Sequence, residues 1–382
     1  ILFNGGKSMD KKEIKIGLAL SGGGMRATLF HLGILKWLAE MELLENIEHI
    51  STVSGGSICA GLLYSSNNMK WPSSKEYLEK VLPEIKKKIL DKDVTFGAFG
   101  KTLEGWDIKK LFESKAESLA KTMKKYWKMD GIIKELSERP IWYINCTTFE
   151  TGKCFHFSQK RCGDYKIGYF DDGNFPIAEA VAASAGFPIL IGMTEIKTDK
   201  YIWKNYEGEE VKLPADKIHL WDGGVYDNLG IEALYRPDNG GECRKGINFC
   251  IVSDASAGTE EFTKPSKNLL GKLADIKRLV DIDMDQVAGL RLRNFVDFII
   301  NKKSGMCVKI GNSAEKITTR GVIDKKIKDE LLKECLGKEE SEKLKNYPTT
   351  LFKPSEKDFD LIVRHGYENA KCVYYSYESA LK

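Results

Sequence analysis

The first 64 residues alternate between short apolar runs and amphipathic stretches, and this order limits the chain to few folds. Residues 14–20 form an apolar run that predicts a buried strand, and residues 28–44 carry apolar side chains at helical spacing. A second short strand over residues 48–53 leads into a helix over residues 55–64. Strand, helix, strand, helix at this pace predicts an α/β fold, with a mostly parallel central sheet sandwiched by helices.

The rest of the chain adds a helical insertion and further strands. Residues 66–140 are rich in lysine and lack strand signals, so we expect a helical insertion or cap with helices over 84–90, 108–123 and 131–136. Strand patterns follow at 141–148, 153–157, 218–221 and 247–253, and helical patterns at 176–184, 269–300 and 355–370, the last with Ser355 as N-cap. We expect residues 1–12 to be a tag or a disordered start, 13–255 to form the main domain, and 256–382 to form a helical region packed on that domain.

Composition excludes several classes of protein. The 382 residues carry a net charge of +4, which is too mild to indicate a nucleic-acid partner. No stretch of 18 or more apolar residues occurs, so we predict no transmembrane helix. The nine cysteines include no CxxC pair and are accompanied by five histidines, so we expect no zinc site and free thiols in a reducing, cytoplasmic setting.

Ser54 lies between the second predicted strand and its helix, within the run Thr52-Val-Ser-Gly-Gly56. A serine on a tight strand-to-helix turn among small residues is a nucleophile elbow, because the turn exposes Oγ and the helix N-terminus faces a developing oxyanion. The usual pattern is Gly-x-Ser-x-Gly, and Thr52 replaces its first glycine. An ordinary strand–turn–helix junction remains the alternative interpretation of this run.

Three consecutive glycines, Gly22, Gly23 and Gly24, follow the first predicted strand. Such a loop can turn several backbone N–H groups toward one anion, which is either a phosphate or the oxyanion of an acyl-transfer intermediate. A dinucleotide site also requires an acidic residue at the end of the next strand. That strand instead ends at Val53 and Ser54, with no acidic residue there. A glycine turn required only for packing is the third interpretation.

Asp222 is the candidate base for Ser54. It follows a predicted strand and precedes Gly223 and Gly224, so we expect its carboxylate at the strand end where ligands collect in α/β sheets. None of the five histidines stands in a convincing context. A buried aspartate with a raised pKa can accept the serine proton directly. A Ser–His–Asp esterase that uses His219 or His365 stays open as a minor alternative.

These motifs together resemble the patatin-like phospholipase family. The resemblance covers about residues 13–255 and rests on an ordered set: Gly22-Gly-Gly-Met-Arg26, Phe30-His-Leu-Gly-Ile-Leu35, Val53-Ser-Gly-Gly-Ser57, Asn145-Cys-Thr-Thr148, Ala180-Val-Ala-Ala-Ser-Ala-Gly-Phe-Pro188 and Asp222-Gly-Gly224. It implies a three-layer α/β/α catalytic domain over 13–255 and hydrolysis of lipid acyl esters by a Ser–Asp dyad, without metal or cofactor. The substrate class implied is a phospholipid or lysophospholipid.

The resemblance also implies a role for each matching residue. Ser54 would be the nucleophile and Asp222 the base, while the backbone of Gly22, Gly23 and Gly24 would form the oxyanion hole. Arg26 would brace that loop or attract a phosphate head group, and the supporting glycines would be Gly55, Gly56, Gly223 and Gly224. The chain departs from the family at Thr52, which could strain the elbow, and at Ala27.

Three further interpretations complete the sequence analysis. Competing functions are a nucleotide- or phosphate-binding protein and a catalytically silent lipid-binding relative. The lysines around Trp127 and Met123 indicate either a solvated helix face or a cap that gives the cytoplasmic protein peripheral contact with an anionic membrane. Ser184 lacks a preceding strand, so we expect it in a helix-end segment of the site wall, and we leave Asp254 outside the site.

Overall fold

The centre of the fold is a ten-stranded mixed sheet, seen in a computed structural model that describes residues 2–4, 7–9, 13–91, 115–186, 192–238, 242–244, 246–258, 264–265, 269–302 and 304–381. A separate antiparallel hairpin comes first, with strands β1 (Leu2–Asn4) and β2 (Lys7–Met9). The strands of the sheet are β3 (Ile16–Leu20), β4 (Ile47–Thr52), β5 (Ile141–Thr148), β6 (Cys154–Phe157), β7 (Cys162–Asp164), β8 (Gly168–Phe170), β9 (Thr194–Lys197), β10 (Lys217–Asp222), β11 (Phe249–Asp254) and β12 (Gly305–Lys309). The predicted strands are therefore present, with ends that differ from the prediction by at most two residues.

The described helices connect and cover these strands. They are α1 (Gly24–Glu40), α2 (Gly55–Ser66), α3 (Ser74–Glu76), α4 (Leu82–Asp91), α5 (Lys115–Trp127), α6 (Ile177–Ser184), α7 (Gly224–Asp227), α8 (Leu269–Lys302), α9 (Ala314–Arg320), α10 (Lys325–Glu334), α11 (Lys338–Lys345) and α12 (Glu356–Leu381), with a π-helical segment, Tyr77–Val81, between α3 and α4. In these residues no helix is long and apolar enough to cross a membrane.

Five strands form the parallel core of the sheet, in the order β12-β11-β3-β4-β5. Beyond β5 the strands β6, β7 and β8 add in antiparallel hairpins. Strand β10 also pairs antiparallel with β5, and β9 pairs with β10. The mostly parallel central sheet predicted from the sequence is confirmed, and the antiparallel direction of β10 is an addition that matters for the site.

Helices cover both faces of this sheet, as predicted. Side chains of β3 alternate between the faces: Leu18 and Leu20 belong to the large core beneath α1, α2 and α12, and Ala19 belongs to a second core. That second core includes Phe295 and Phe298 of α8. The three-layer α/β/α architecture follows from this alternation, because each face of a buried sheet needs an apolar partner.

The lysine-rich insertion is helical where the structure describes it, and the apolar residues named in the membrane-cap alternative are buried there. Trp127 is 1% exposed and joins the core together with Met123 and Ile133, so Trp127 is not the interfacial tryptophan of that alternative. Lys121 and Lys124 form ion pairs with glutamates, which fits a solvated helix face. Part of the predicted 108–123 helix, 108–114, lies outside the described residues, and the predicted 131–136 helix is only a short 3-10 turn, Ile133–Glu135.

The C-terminal region is not purely helical, because β12 extends the central sheet beside β11. The long helix α8 matches the predicted 269–300 helix. Ser355 caps α12 as predicted, its Oγ accepting a hydrogen bond from the Asp358 N–H at 3.1 Å, and the helix continues well past the predicted end. Helix α12 packs along α1, the helix that follows the glycine loop.

Candidate active site

The pairing of β5 brings Ser54 and Asp222 together. Strand β4 pairs parallel with the first half of β5 and ends at Thr52, whereas β10 pairs antiparallel with the second half and ends at Asp222. Strand β6 occupies the other edge of β5, so β4 and β10 lie on the same edge and meet end to end. Ser54 follows the end of β4 by two residues, and both candidate residues therefore lie at this junction.

Ser54 has the backbone conformation of a sharp turn. Its φ of 50° and ψ of −114° are rare for a residue with a side chain. Ser54 directly precedes the first residue of α2. Its N–H donates to the Ser184 hydroxyl at 3.0 Å. This conformation directs Oγ away from the strand, as a nucleophile elbow requires. Gly55 and Gly56 then open α2, where a Cβ on Gly55 would lie 2.2 Å from the Gly24 carbonyl oxygen.

The Ser54 hydroxyl lies beside the Asp222 carboxyl, close enough to influence its pKa. Burial, the largest influence, raises the pKa of Asp222 to about 7, while the Gly224 N–H and the Ser54 hydroxyl act to lower it. The Gly224 N–H donates to Asp222 Oδ1 at 2.7 Å, and the carboxylate is only 2% exposed. A carboxylate with a pKa near neutrality, beside a serine hydroxyl, is suited to take a proton from it.

The glycine loop lies beside Ser54 and offers two backbone donors. Gly23 and Gly24 have φ values of 142° and 60°, which residues with side chains rarely adopt. Among the described residues, neither of their N–H groups has a hydrogen-bond acceptor. The Gly22 N–H, in contrast, donates to the Asn228 carbonyl at 3.0 Å, so it is not free for an oxyanion. The predicted set of three donors is thereby reduced to Gly23 and Gly24.

Arg26 holds this loop in place through two side-chain hydrogen bonds. Its guanidinium is buried and donates through Nε to the Ala255 carbonyl at 3.1 Å and through Nη1 to the Tyr347 carbonyl at 2.5 Å. Burial lowers the pKa of Arg26 to about 10, against the opposing influence of Asp254. With both ends of the guanidinium bonded to protein carbonyls, the bracing role fits and attraction of a phosphate head group does not.

Thr52 is accommodated without strain at the site where the family pattern has glycine. Its side chain is fully buried, and its Oγ1 accepts a hydrogen bond from Trp142 Nε1 at 2.8 Å and lies 2.8 Å from Ser57 Oγ. The positive φ falls on Ser54 instead. The bulkier residue therefore fills a polar cavity away from the nucleophile.

His31 holds the start of the glycine loop rather than acting as a base. Its Nε2 lies 2.9 Å from the Ser21 carbonyl oxygen, which can only accept, so Nε2 carries the proton and Nδ1 accepts from Ser253 Oγ at 2.6 Å. Burial lowers the pKa of His31 to about 4, which keeps the ring neutral.

The two histidines of the alternative triad lie in other environments. His219 Nδ1 is 2.6 Å from Glu150 Oε1, and His365 Nε2 accepts from the Gly311 N–H at 3.0 Å inside the α12 packing. No histidine in the described part of the chain is hydrogen-bonded to Ser54 or Asp222. Nor do the described residues contain a cluster of His, Cys, Asp or Glu side chains arranged to hold a metal ion.

Asn228 is a site residue that the sequence analysis missed. Its carbonyl accepts from the Gly22 N–H, and its side-chain Oδ1 occupies the space where a Cβ would lie on Gly22 (2.3 Å away) or on Gly224 (2.7 Å away). Both glycines are therefore required by one asparagine side chain packed between the loop and the turn after Asp222. The only signal in the sequence was its place six residues after Asp222, which by itself indicates no contact.

Comparisons with known proteins bear on the family and the fold. The profile of the family described as Patatin-like phospholipase matches residues 18–235, more than half of the chain. Human GIVD cytosolic phospholipase A2 superposes with a TM-score of 0.54 at 12% identity, over 98% of this chain and 61% of that one. Its complex with methyl gamma-linolenyl fluorophosphonate gives a TM-score of 0.50 at 13% identity, over 98% and 59%.

The structural likeness shows a shared fold, and this chain spans about three fifths of the length of these phospholipases. No curated protein sequence matches it. The family resemblance stated from the motifs is confirmed by the profile match, which includes the glycine loop, the Ser54 turn and Asp222. The chain therefore belongs to the patatin-like phospholipase family.

Proposed function

We propose that this protein is a lipid acyl hydrolase, a serine esterase that cleaves fatty-acyl ester bonds of phospholipids or lysophospholipids. The observation that carries the proposal is the position of the Ser54 hydroxyl beside a buried Asp222 whose pKa is raised to about 7. A serine and a neighbouring general base are the parts that nucleophilic ester cleavage needs. Because such substrates reside in lipid surfaces, the proposal includes peripheral contact with a membrane.

The first half of the reaction forms an acyl-enzyme. Ser54 Oγ attacks the ester carbonyl while Asp222 takes the hydroxyl proton, and the N–H groups of Gly23 and Gly24 stabilise the oxyanion. Collapse of this intermediate breaks the bond to the alcohol. The alcohol leaves with the proton from Asp222, which returns to its carboxylate form.

The second half releases the fatty acid. Water attacks the acyl-Ser54 carbonyl and gives a proton to Asp222, and the same two glycine N–H groups hold the second oxyanion. When this intermediate collapses, Ser54 Oγ takes the proton back from Asp222. The dyad ends the cycle unchanged, and no metal ion or cofactor takes part.

The first experiment is labelling with an alkyl fluorophosphonate, read by intact-mass spectrometry on wild type and Ser54→Ala side by side. Ser54 Oγ displaces fluoride from phosphorus, so we expect one adduct on wild type, at the mass of the probe less HF, and none on the variant. The human relative whose fluorophosphonate complex has been solved supports this choice of probe.

Folded wild type that gains no adduct would contradict an activated serine and favour the competing functions. Stabilisation by nucleotides or inorganic phosphate, seen as a raised melting temperature, would then support the phosphate-binding alternative. Binding of lipid vesicles without hydrolysis would support the catalytically silent alternative.

The pH dependence of the reaction reports on Asp222. Only the carboxylate form accepts a proton, so kcat/KM is expected to fall about tenfold per pH unit below pH 6 and to level off above pH 8, with a midpoint near 7. The measurement is initial-rate hydrolysis of a soluble short-chain ester between pH 4 and 9. A matched profile of His219→Gln should have the same midpoint, whereas a shifted midpoint or a midpoint near 4 would contradict the role of Asp222.

A further inference from the structure

The last residue of helix α6, Ser184, contacts both the Ser54 turn and the turn after Asp222. The Ser184 hydroxyl, which is fully buried, accepts from the Ser54 N–H at 3.0 Å and donates to the Asn145 carbonyl at 2.7 Å. The Ser184 carbonyl accepts from the Gly223 N–H at 3.3 Å. Ser184 therefore links the Ser54 turn to the residue that follows Asp222.

The segment 184–186 also holds the backbone of the base. The Asp222 N–H donates to the Gly186 carbonyl at 3.1 Å, next to the bond between Gly223 and Ser184. Asp222 and Gly223 are thus fixed to the segment 184–186, at the end of α6, by two backbone hydrogen bonds. The turn of Ser54 is fixed to α6 by the Ser184 hydroxyl.

A chain of buried hydroxyl groups orients Ser184. It contains four hydrogen bonds, from Trp142 Nε1 to Thr52 Oγ1, Ser57 Oγ, Ser184 Oγ and the Asn145 carbonyl. An indole N–H can only donate and a carbonyl can only accept, so every bond between them runs in one direction. The single proton of Ser184 is therefore committed to Asn145, and its two acceptor sites take the Ser57 hydroxyl and the nucleophile N–H.

Resting on the function proposed above, we propose that Ser184 is the positioning residue of this site. Its hydroxyl is the acceptor that holds Ser54 in its positive-φ turn, and its segment sets where Asp222 stands relative to that turn. A turn at φ 50° persists only where its surroundings over-determine it, and the saturated Ser184 hydroxyl supplies this constraint.

The test is Ser184→Ala, measured as kcat and KM on a soluble ester and as the pH midpoint of kcat/KM. Ser184 acts through the Ser54 turn and not on the substrate, so we expect kcat to fall about thirtyfold or more while KM changes less than about twofold. As the turn relaxes, the Ser54 hydroxyl that lowers the pKa of Asp222 moves away from the carboxylate, so the midpoint should move above 7. Ser184→Cys, which returns a weaker acceptor, should recover part of kcat.

The matched control is Thr52→Val, which is close in shape and interrupts the same hydroxyl chain at its far end, leaving the bonds of Ser184 to Ser54 and Asn145. We expect it to lower the melting temperature as much as Ser184→Ala does, but to change kcat less than about threefold and to keep the wild-type midpoint. Equal kcat losses in both variants, with an unmoved midpoint, would overturn the inference alone. Wild type that neither hydrolyses esters nor reacts with the fluorophosphonate would overturn the proposed function together with it.

Discussion

Replacement of Asp222 with asparagine is expected to lower kcat about 10⁴-fold. Asparagine has nearly the same shape and can still accept the Gly224 N–H, but its amide oxygen cannot take the Ser54 proton. The nucleophile then has no base, and only binding and the two glycine donors remain to accelerate the reaction. The measurement is single-turnover hydrolysis of an activated ester, with Ser54→Ala as the comparison.

The double variant distinguishes a dyad from two independent contributions. If Ser54 and Asp222 act as one unit, the double variant Ser54→Ala, Asp222→Asn should be no slower than Ser54→Ala alone. If the two residues contributed independently, the double variant would be slowed by the product of the two single-variant factors. An Asp222→Asn variant with near-normal turnover would remove Asp222 from the mechanism, and another residue would then have to be the base.

Stability supplies the control for this prediction. The pKa of Asp222 is higher in the folded protein than in the unfolded chain, so between about pH 4 and 7 the folded state binds more protons and its free energy of unfolding falls as pH rises. At pH 8 the wild type therefore carries a penalty on the order of a few kcal/mol, which asparagine avoids. Asp222→Asn should lose activity while its melting temperature at pH 8 holds or rises, and a lowered melting temperature would contradict the buried carboxylate.

Gly366→Ala is expected to destabilise the protein by about 3 kcal/mol or more. Helix α12 crosses α1 at this residue, and a Cβ on Gly366 would lie 2.1 Å from the Phe30 carbonyl oxygen. On the other side, a Cβ on Gly33 would lie 2.0 Å from the Val363 carbonyl oxygen. Backbone atoms cannot swing aside as a flexible side chain can, so the two helices must separate and lose their packing. Urea denaturation measures the change.

Gly289→Ala is the matched control, because this glycine is also inside a helix, α8, where the nearest atom to an added Cβ is Arg293 Nη1 at 3.5 Å. Alanine has a higher helix propensity than glycine, so the free energy of unfolding of this variant should rise by up to about 1 kcal/mol. If Gly366→Ala were equally stabilising, the close crossing of α1 and α12 would be wrong.

The crossing has a consequence for the site. The family profile ends at residue 235, yet α1 begins at Gly24 of the glycine loop and packs along α12 of the C-terminal region. The Met25 N–H also donates to the Thr350 carbonyl at 2.8 Å. Residues beyond the profile match therefore support the loop that we propose as the oxyanion hole.

Local patterns were sufficient for the elements that carry the chemistry. The apolar run before Gly22, the glycines after it and the small residues around Ser54 specify a strand, a loop and an elbow, because these depend on neighbours within a few residues. The strand Ile141–Thr148 was predicted with its observed limits for the same reason. A fully buried strand and a sharp turn can both be recognised from the order of residues along the chain.

The tertiary structure alone decided how these elements meet. That β10 runs antiparallel and meets β4 end to end depends on the pairing of both strands with β5, in which Asp222 lies opposite Cys146 and Thr52 opposite Ile144. No local period encodes such long-range pairs. The burial that raises the pKa of Asp222, the asparagine packed between Gly22 and Gly224, and the hydrogen bonds of Ser184 to Ser54 and Gly223 likewise depend on contacts between distant segments. The sequence by itself determined a strand-to-helix turn at Ser54 and a carboxylate at a strand end, and long-range packing decided that they lie side by side.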